Sequence, residues 1–368
     1  MLWYAVKERR FKLSRFLNER YVSLEAYTPG EQPRDKKYIK LNTNESPFPP
    51  AKGVIEALDS REIEDLRLYP DPECKGLREK LGTFFGYGRE NVFVSNGSDD
   101  ILNFAFMAFF DKGVRFPDIS YGFYKVYAAL HGVAHERMPL RADLSIDIRD
   151  YTACGHGVVL ANPNAPTGLC LSLEEIEEIV LSNPESVVLI DEAYVDFGGE
   201  SAIPLVRKYD NLLVVRTYSK SASFAGGRLG FAIGSEALIS DLEKIKYSTN
   251  PYSLNRLTLV AGEKTVENAD YYRENCRSVA ENRDYTIKEL RRLGFSVTDS
   301  KANFVFAESP LIDGESLYRE LRARGILVRF FGTGRIKNYN RITVGTRVDM
   351  EALVHAIEEI LEERRRSE

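Results

Sequence analysis

Between about residues 92 and 233, short β-branched runs alternate with longer stretches of helical periodicity, and this alternation restricts the fold more than any other feature of the chain. Candidate strands lie at 92–94, 114–116, 158–161, 187–190, 212–216 and 229–233, with helical patterns at 99–110, 123–131 and 173–181 among them. Several of the strands are apolar throughout instead of alternating. That is the pattern of strands covered by helices on both faces of a mostly parallel sheet. The predicted class is therefore α/β, with a larger domain over 51–250.

The flanks differ. From 254 to 293 the helical pattern runs unusually long and is rich in Glu, Arg and Asn, which predicts a long helix, straight, bent or broken, joining two domains. Strands at 295–297, 303–307, 327–331 and 341–344, with helices at 314–324 and 350–364, predict a smaller α+β unit within 251–368. Before residue 50, Pro29, Gly30, Pro33, Pro47, Pro49 and Pro50 predict an extended arm packed with the small domain.

Composition removes several function classes. Lys plus Arg is 50 against 55 for Asp plus Glu, a net charge of −5, which leaves no electrostatic footprint for nucleic acid. The four cysteines lie far apart without a C-x-x-C pair, and there are only four histidines, so neither a disulfide framework nor a metal cluster is expected. The apolar run 1–6 is too short for a signal-peptide core, and the longest apolar stretch, 101–110, is about half of what a membrane span needs. The expectation is a cytoplasmic protein that binds neither membrane nor nucleic acid. The basic ending Arg364, Arg365 and Arg366 reads as a solvated helix tail.

Four segments fall at the C-terminal ends of predicted strands, the edge where open parallel sheets bind ligands. SNGSDD (95–100) places Gly97 and the following amides at a helix start, which suits an anion but equally suits a plain capped turn. NPNAPTG (162–168) holds Asn164 between prolines in a tight loop. DEAYVDF (191–197) puts Asp191 at the sheet edge, where a partly desolvated carboxylate needs a cationic partner or a metal, with no histidine nearby in sequence. RTYSKSASFAGGRLGF (216–231) sets Lys220 just past a buried strand, flanked by Ser219 and Arg228. Each signal is weak alone. Together they meet the needs of pyridoxal 5′-phosphate: Lys220 for its aldehyde, Asp191 for the ring nitrogen, Asn164 and Tyr194 for the ring oxygen O3′, and a phosphate cup.

The ordered set SNGSDD, ISYGFY, NPNAPTG, DEAYVDF, TYSKSASFAGGRLGF and RITVGT resembles the fold-type I pyridoxal phosphate-dependent aminotransferases of the histidinol-phosphate group, from about Tyr27 to the C-terminus. The resemblance implies that Lys220 is the Schiff-base lysine and Asp191 the partner of the ring nitrogen. It further implies that Asn164 and Tyr194 donate to O3′, that Tyr121 stacks on the ring, and that Ser98, Asp99, Ser219 and Arg228 form the phosphate cup. Tyr69, in LYPDP, resembles a tyrosine lent across a homodimer to the neighbouring site. Tyr27, Arg329 and Arg341 match residues for the substrate's phosphate and carboxylate, and the arm 42–50 (NTNESPFPP) is in character. The lysine loop departs from its relatives at Phe224 and Gly227, and the PDIS stretch before Tyr121 departs from a more usual P-T-aromatic pattern.

The implied activity is transfer of an amino group between histidinol phosphate and 2-oxoglutarate. Threonine-phosphate decarboxylation, aromatic amino-acid transamination and a non-catalytic regulator of the same fold are the alternatives. The arm is too short to hold the added DNA-binding domain that such regulators usually carry.

Overall fold

A computed structural model of the protein describes residues 13–367; the apolar run 1–6 lies outside the described residues. Seven strands form the main sheet in the order Val92–Ser95, Gly230–Ile233, Leu212–Thr217, Val188–Asp191, Gly157–Ala161, Val114–Pro117 and His135–Met138. Only Gly230–Ile233 runs antiparallel to its neighbours. The five strands from Val92 to Ser95 and from Gly157 to Ile233 are buried at every position, as their uninterrupted apolar runs predict.

Helices close both faces. Ser98–Ala108 buries Ile101, Leu102, Ala105 and Phe106 at helical spacing. Leu173–Ser182 opens on a capping box, in which the Glu175 amide donates to Ser172 Oγ (3.2 Å) and the Ser172 amide to Glu175 Oε2 (2.8 Å). Its buried stripe is Ile176, Ile179 and Val180.

The sequence reading missed one strand of the main sheet. His135–Met138 lies at the sheet edge with its first three residues exposed, and an edge strand that faces water needs no apolar run to mark it. The long helical stretch divides at Asn268 (φ −109°, ψ 28°) into Arg256–Glu267 and Ala269–Arg292. Leu254, Leu259 and Ala261 pack in the same cluster as the main sheet, so the large unit's core extends past residue 250.

The smaller sheet is antiparallel, in the order Arg329–Phe330, Asn340–Thr343, Phe304–Glu308 and Ser296–Val297, and it is backed by Gly314–Ala323 and Arg347–Ser367. Its core, with Val305, Leu321, Ile342 and Leu353, also takes in Leu41 of the arm. The arm reaches it as a two-residue strand, Ile39–Lys40, parallel to Ile326–Leu327. The arginines at 364–366 sit exposed on the last helix. No helix among the described residues is long and apolar enough to cross a membrane.

Candidate active site

Because the parallel strands all point one way, Ser95, Pro117, Ala161, Asp191 and Thr217 end on one edge. The segments that follow them meet there. The antiparallel strand begins at the same edge, which brings Arg228, just before Gly230, to the start of helix Ser98–Ala108.

Arg228 Nη2 donates to Asp99 Oδ2 (3.1 Å) and Nη1 to Ser219 Oγ (3.2 Å). Two glycines make this approach possible. A Cβ on Gly97 (φ +82°) would come 2.6 Å from Arg228 Nη2, and one on Gly230 would come 2.4 Å from the Ser98 backbone nitrogen. Gly97 offers no capping side chain to the helix it precedes, so the first-turn amides stay open to an anion.

Lys220 Nζ donates to the Thr43 carbonyl of the arm (3.2 Å) and lies 5.9 Å from the Tyr194 ring centre. Burial pulls its ammonium down to about 8; Arg341 and Arg228 add to this, while Glu45 and Asp99 oppose it. That raises the share of free amine near neutral pH to about a tenth, and the free amine is the form that attacks a carbonyl carbon. Asp191 is 4% exposed; it accepts from Tyr124 Oη at Oδ2 (2.9 Å) and from the Ala193 amide at Oδ1 (3.2 Å). Burial pushes its carboxyl up to about 6, against those two hydrogen bonds and Lys220 and with help from Asp99. Its hydrogen-bond donors are neutral, so a protonated ring nitrogen would be its first directly bonded cation.

Asn164 is held from several sides. It accepts from Ser120 Oγ at Oδ1 (2.8 Å) and donates from Nδ2 to the Ile119 carbonyl (3.0 Å) and Thr167 Oγ1 (3.2 Å). The peptide bonds 162–163 and 165–166 on either side are both cis. Tyr194 Oη accepts from Asn44 Nδ2 (3.0 Å). Tyr121 donates to Asp99 Oδ1 (2.7 Å), and its ring lies 6.2 Å from that of Tyr27, which stacks on Phe123 at 4.2 Å.

Arg329 and Arg341 are directly opposite partners in the small sheet. Like charges so placed repel, yet neither makes an ion pair with a carboxylate among the described residues. Arg341 donates only to the Asn42 carbonyl (3.2 Å), with its Nε buried and unpartnered, and Arg329 donates to the carbonyls of Thr28 and Pro29. Burial pushes the Tyr27 phenol's pKa up and both arginines pull it down, so the three side chains share one field.

Tyr69 stands apart. It is 80% exposed, stacks on Tyr252 (4.5 Å) and makes no described contact with any of these residues within the chain. Conversely, the sequence reading passed over Tyr124, Ser120, Thr43 and Asn44. Tyr124 follows Tyr121 by one helical turn, and that spacing was the signal available for it. The arm residues gave no local signal, because their partners lie 150 or more positions away.

The residues suit a phosphorylated pyridine aldehyde. An arginine, a hydroxyl and open helix amides surround the place for a phosphate. A lysine of lowered pKa and a buried carboxylate without a bonded cation among the described residues follow strands that end on the same sheet edge. Two arginines without counter-ions face the same space.

The family model described as Aminotransferase class I and II matches residues 36–357. The histidinol-phosphate aminotransferase of Brachyspira hyodysenteriae is 49% identical over 349 residues, covering 94% of this chain and 99% of that protein. That of Clostridium acetobutylicum is 47% identical over 351 residues, covering 95% and 100%. Among solved structures, the histidinol-phosphate aminotransferase from Sinorhizobium meliloti in complex with pyridoxal-5′-phosphate superposes with a TM-score of 0.80 at 23% identity, covering 89% of this chain and 92% of that one.

Proposed function

The chain belongs to the class I and II aminotransferases, and from that premise we propose that it moves an amino group between L-histidinol phosphate and 2-oxoglutarate, giving imidazole acetol phosphate and glutamate in histidine biosynthesis. It is a pyridoxal phosphate-dependent transaminase of the cytoplasm. The observation that carries the reading is the combination of a half-buried lysine and a buried carboxylate, neither with a bonded counter-ion among the described residues, together with two arginines that make no ion pair among them. Full-length identity near one half to histidinol-phosphate aminotransferases directs it to this substrate.

When bound, pyridoxal 5′-phosphate supplies an aldehyde that takes up the amino group and a ring that accepts electron density from the substrate carbon. Lys220 would hold the cofactor at its aldehyde carbon and, once displaced, its Nζ would carry the proton to and from the substrate's reacting carbon. Asp191 would keep the ring nitrogen protonated, while Tyr194 and Asn164 would donate to O3′, Asn164 by giving up the Nδ2 bond to Ile119 or Thr167. Tyr121 packs on the ring. Ser98, Asp99, Ser219 and Arg228 seat the phosphate. Arg329 with Tyr27 takes the phosphate of histidinol phosphate, and Arg341 takes the carboxylate of glutamate. An arginine fork can grip either anion with paired hydrogen bonds, as a site serving two dissimilar substrates requires.

The working form in this reading is a homodimer with shared sites, each chain made of an arm (1–50), a large cofactor-binding domain (51–250), and a long linking helix with a small domain (251–368). Tyr69, Leu66, Leu68, Ile63 and Tyr252 form an exposed apolar region suited to such an interface. Mixing inactive Lys220→Ala and Tyr69→Phe subunits should restore part of the activity, and a fully active monomer would exclude sharing.

The function is tested by half-reactions on purified protein with histidinol phosphate, phenylalanine and threonine phosphate. Conversion of the cofactor to its amine form fastest with histidinol phosphate is expected. Release of carbon dioxide from threonine phosphate without that conversion would establish the decarboxylase reading instead.

A further inference from the structure

Asn44 is 1% exposed and lies in the left-handed region (φ 56°), a conformation that Asn tolerates better than most residues. Four hydrogen bonds fix it. Its amide N–H donates to Thr343 Oγ1 (2.9 Å), its carbonyl accepts from Asn303 Nδ2 (3.0 Å), its Oδ1 accepts from Thr343 Oγ1 (2.9 Å), and its Nδ2 donates to Tyr194 Oη (3.0 Å). The direction of the last bond follows from the others. The Thr343 hydroxyl accepts from the backbone and donates its single proton to Oδ1, which leaves the NH₂ end of the amide facing Tyr194.

We propose that Asn44 is a positioning residue for Tyr194: by donating to the phenol oxygen it leaves the phenol's own proton to the cofactor oxygen O3′. This rests on the cofactor reading above. A phenol that receives a hydrogen bond is also a stronger donor through its own O–H. A donor at O3′ stabilises the negative charge on that oxygen and so makes the adjacent imine nitrogen less ready to keep its proton. Thr343 lies two residues from Arg341 on the same strand, so both side chains project from one face. The arm thereby ties the small-domain strand that grips the carboxylate to the tyrosine that tunes the ring. The charged groups that act on the Tyr194 hydroxyl are Arg341, Asp191 and Asp99, with Lys220 near the ring, and none of them is altered in the test below.

The test is a pH titration of the visible absorbance of the resting holoenzyme, which reads the imine's protonation and not turnover. Asn44→Asp retains the left-handed backbone but replaces the donor with a carboxylate, which turns the tyrosine's proton away from the cofactor. The absorbance midpoint should rise by about one pH unit or more. Asn44→Gly keeps the backbone and removes the amide, and should shift the midpoint in the same direction by less; it decides the matter if the Asp variant does not fold. In a Tyr194→Phe background, Asn44→Gly should shift the midpoint no further, because its effect passes through that hydroxyl. An unmoved midpoint in a folded variant, or a full additional shift in the Tyr194→Phe background, overturns the proposal alone. A wild-type protein with no pH-dependent visible band overturns the cofactor reading and this proposal with it.

Discussion

Asp191 and Glu192 are adjacent acids, both buried, and they serve opposite ends. Glu192 faces a closed network: Ser201 Oγ and the Ala202 amide donate to it, Arg216 Nη1 lies 3.3 Å from its Oε2, and Arg216 also pairs with Asp196, which accepts from Ser221. Each charge in that network touches its opposite. On the other side, among the described residues, Asp191 has only neutral hydrogen-bond donors, Lys220 only a carbonyl, and Arg341 a carbonyl and an unpartnered Nε. Burying a charge without a counter-ion is costly, and the buried Asp191 with the half-buried Lys220 and Arg341 is the kind of group that marks a ligand site. The paired network fastens the 191–197 turn to the lysine loop.

The largest way to sharpen this contrast is Lys220→Ala. Turnover should fall by at least about a thousandfold, since one group both holds the cofactor and moves the proton. A variant with near-normal transamination would break the assignment of this whole edge. Arg216→Met acts on the other network. It leaves the buried Glu192 without its cation, and the exposed Asp196 without its partner, and should lower the unfolding free energy by about 3–5 kcal/mol, measured by urea denaturation. Loss of activity without loss of stability would place Arg216 among the reacting groups instead.

Asp191→Asn keeps the size and removes the charge. Turnover should drop by roughly a hundredfold, equivalent to about 2.7 kcal/mol, while cofactor-free stability holds or improves. Arg329→Ala should weaken the histidinol phosphate half-reaction by roughly tenfold to a hundredfold, with glutamate's half-reaction suffering less. Equal losses in the two half-reactions would remove Arg329 from substrate selection.

The smallest effect is in pH. Lys220 binds its proton less tightly folded (about 8) than unfolded (10.5), so the destabilisation it causes is complete below pH 8 and is relieved as pH rises from 8 to 10.5. Cofactor-free Lys220→Met should therefore melt above wild type at pH 7, with the gap closing toward pH 10. A gap independent of pH would mean the lysine is not desolvated.

Much of this was legible in the sequence, unevenly. The fully buried strands announced themselves because helices on both faces demand uninterrupted apolar runs, whereas His135–Met138, open to water, carried no such mark. That Lys220, Asp191, Asn164 and Arg228 lie at the sheet edge was readable because a strand end followed by a glycine, proline or capped turn is local chemistry. That Asn164 is steadied by Ser120, Asp191 by Tyr124, and Tyr194 by Asn44 was not, since those partners are 44, 67 and 150 positions away.

The sequence by itself determined the α/β alternation, the order of the loops at the sheet edge and the kinds of reactive group they carry. These depend on periodicity and turn preferences within a few residues. Only the tertiary structure decided which acid faces the site and which is neutralised, which arginines lack a counter-ion, and that the arm reaches Lys220 and Tyr194. Those outcomes are set by burial and by distant partners. A charge's chemistry depends on what surrounds it in space, and adjacent residues such as Asp191 and Glu192 can have entirely different surroundings.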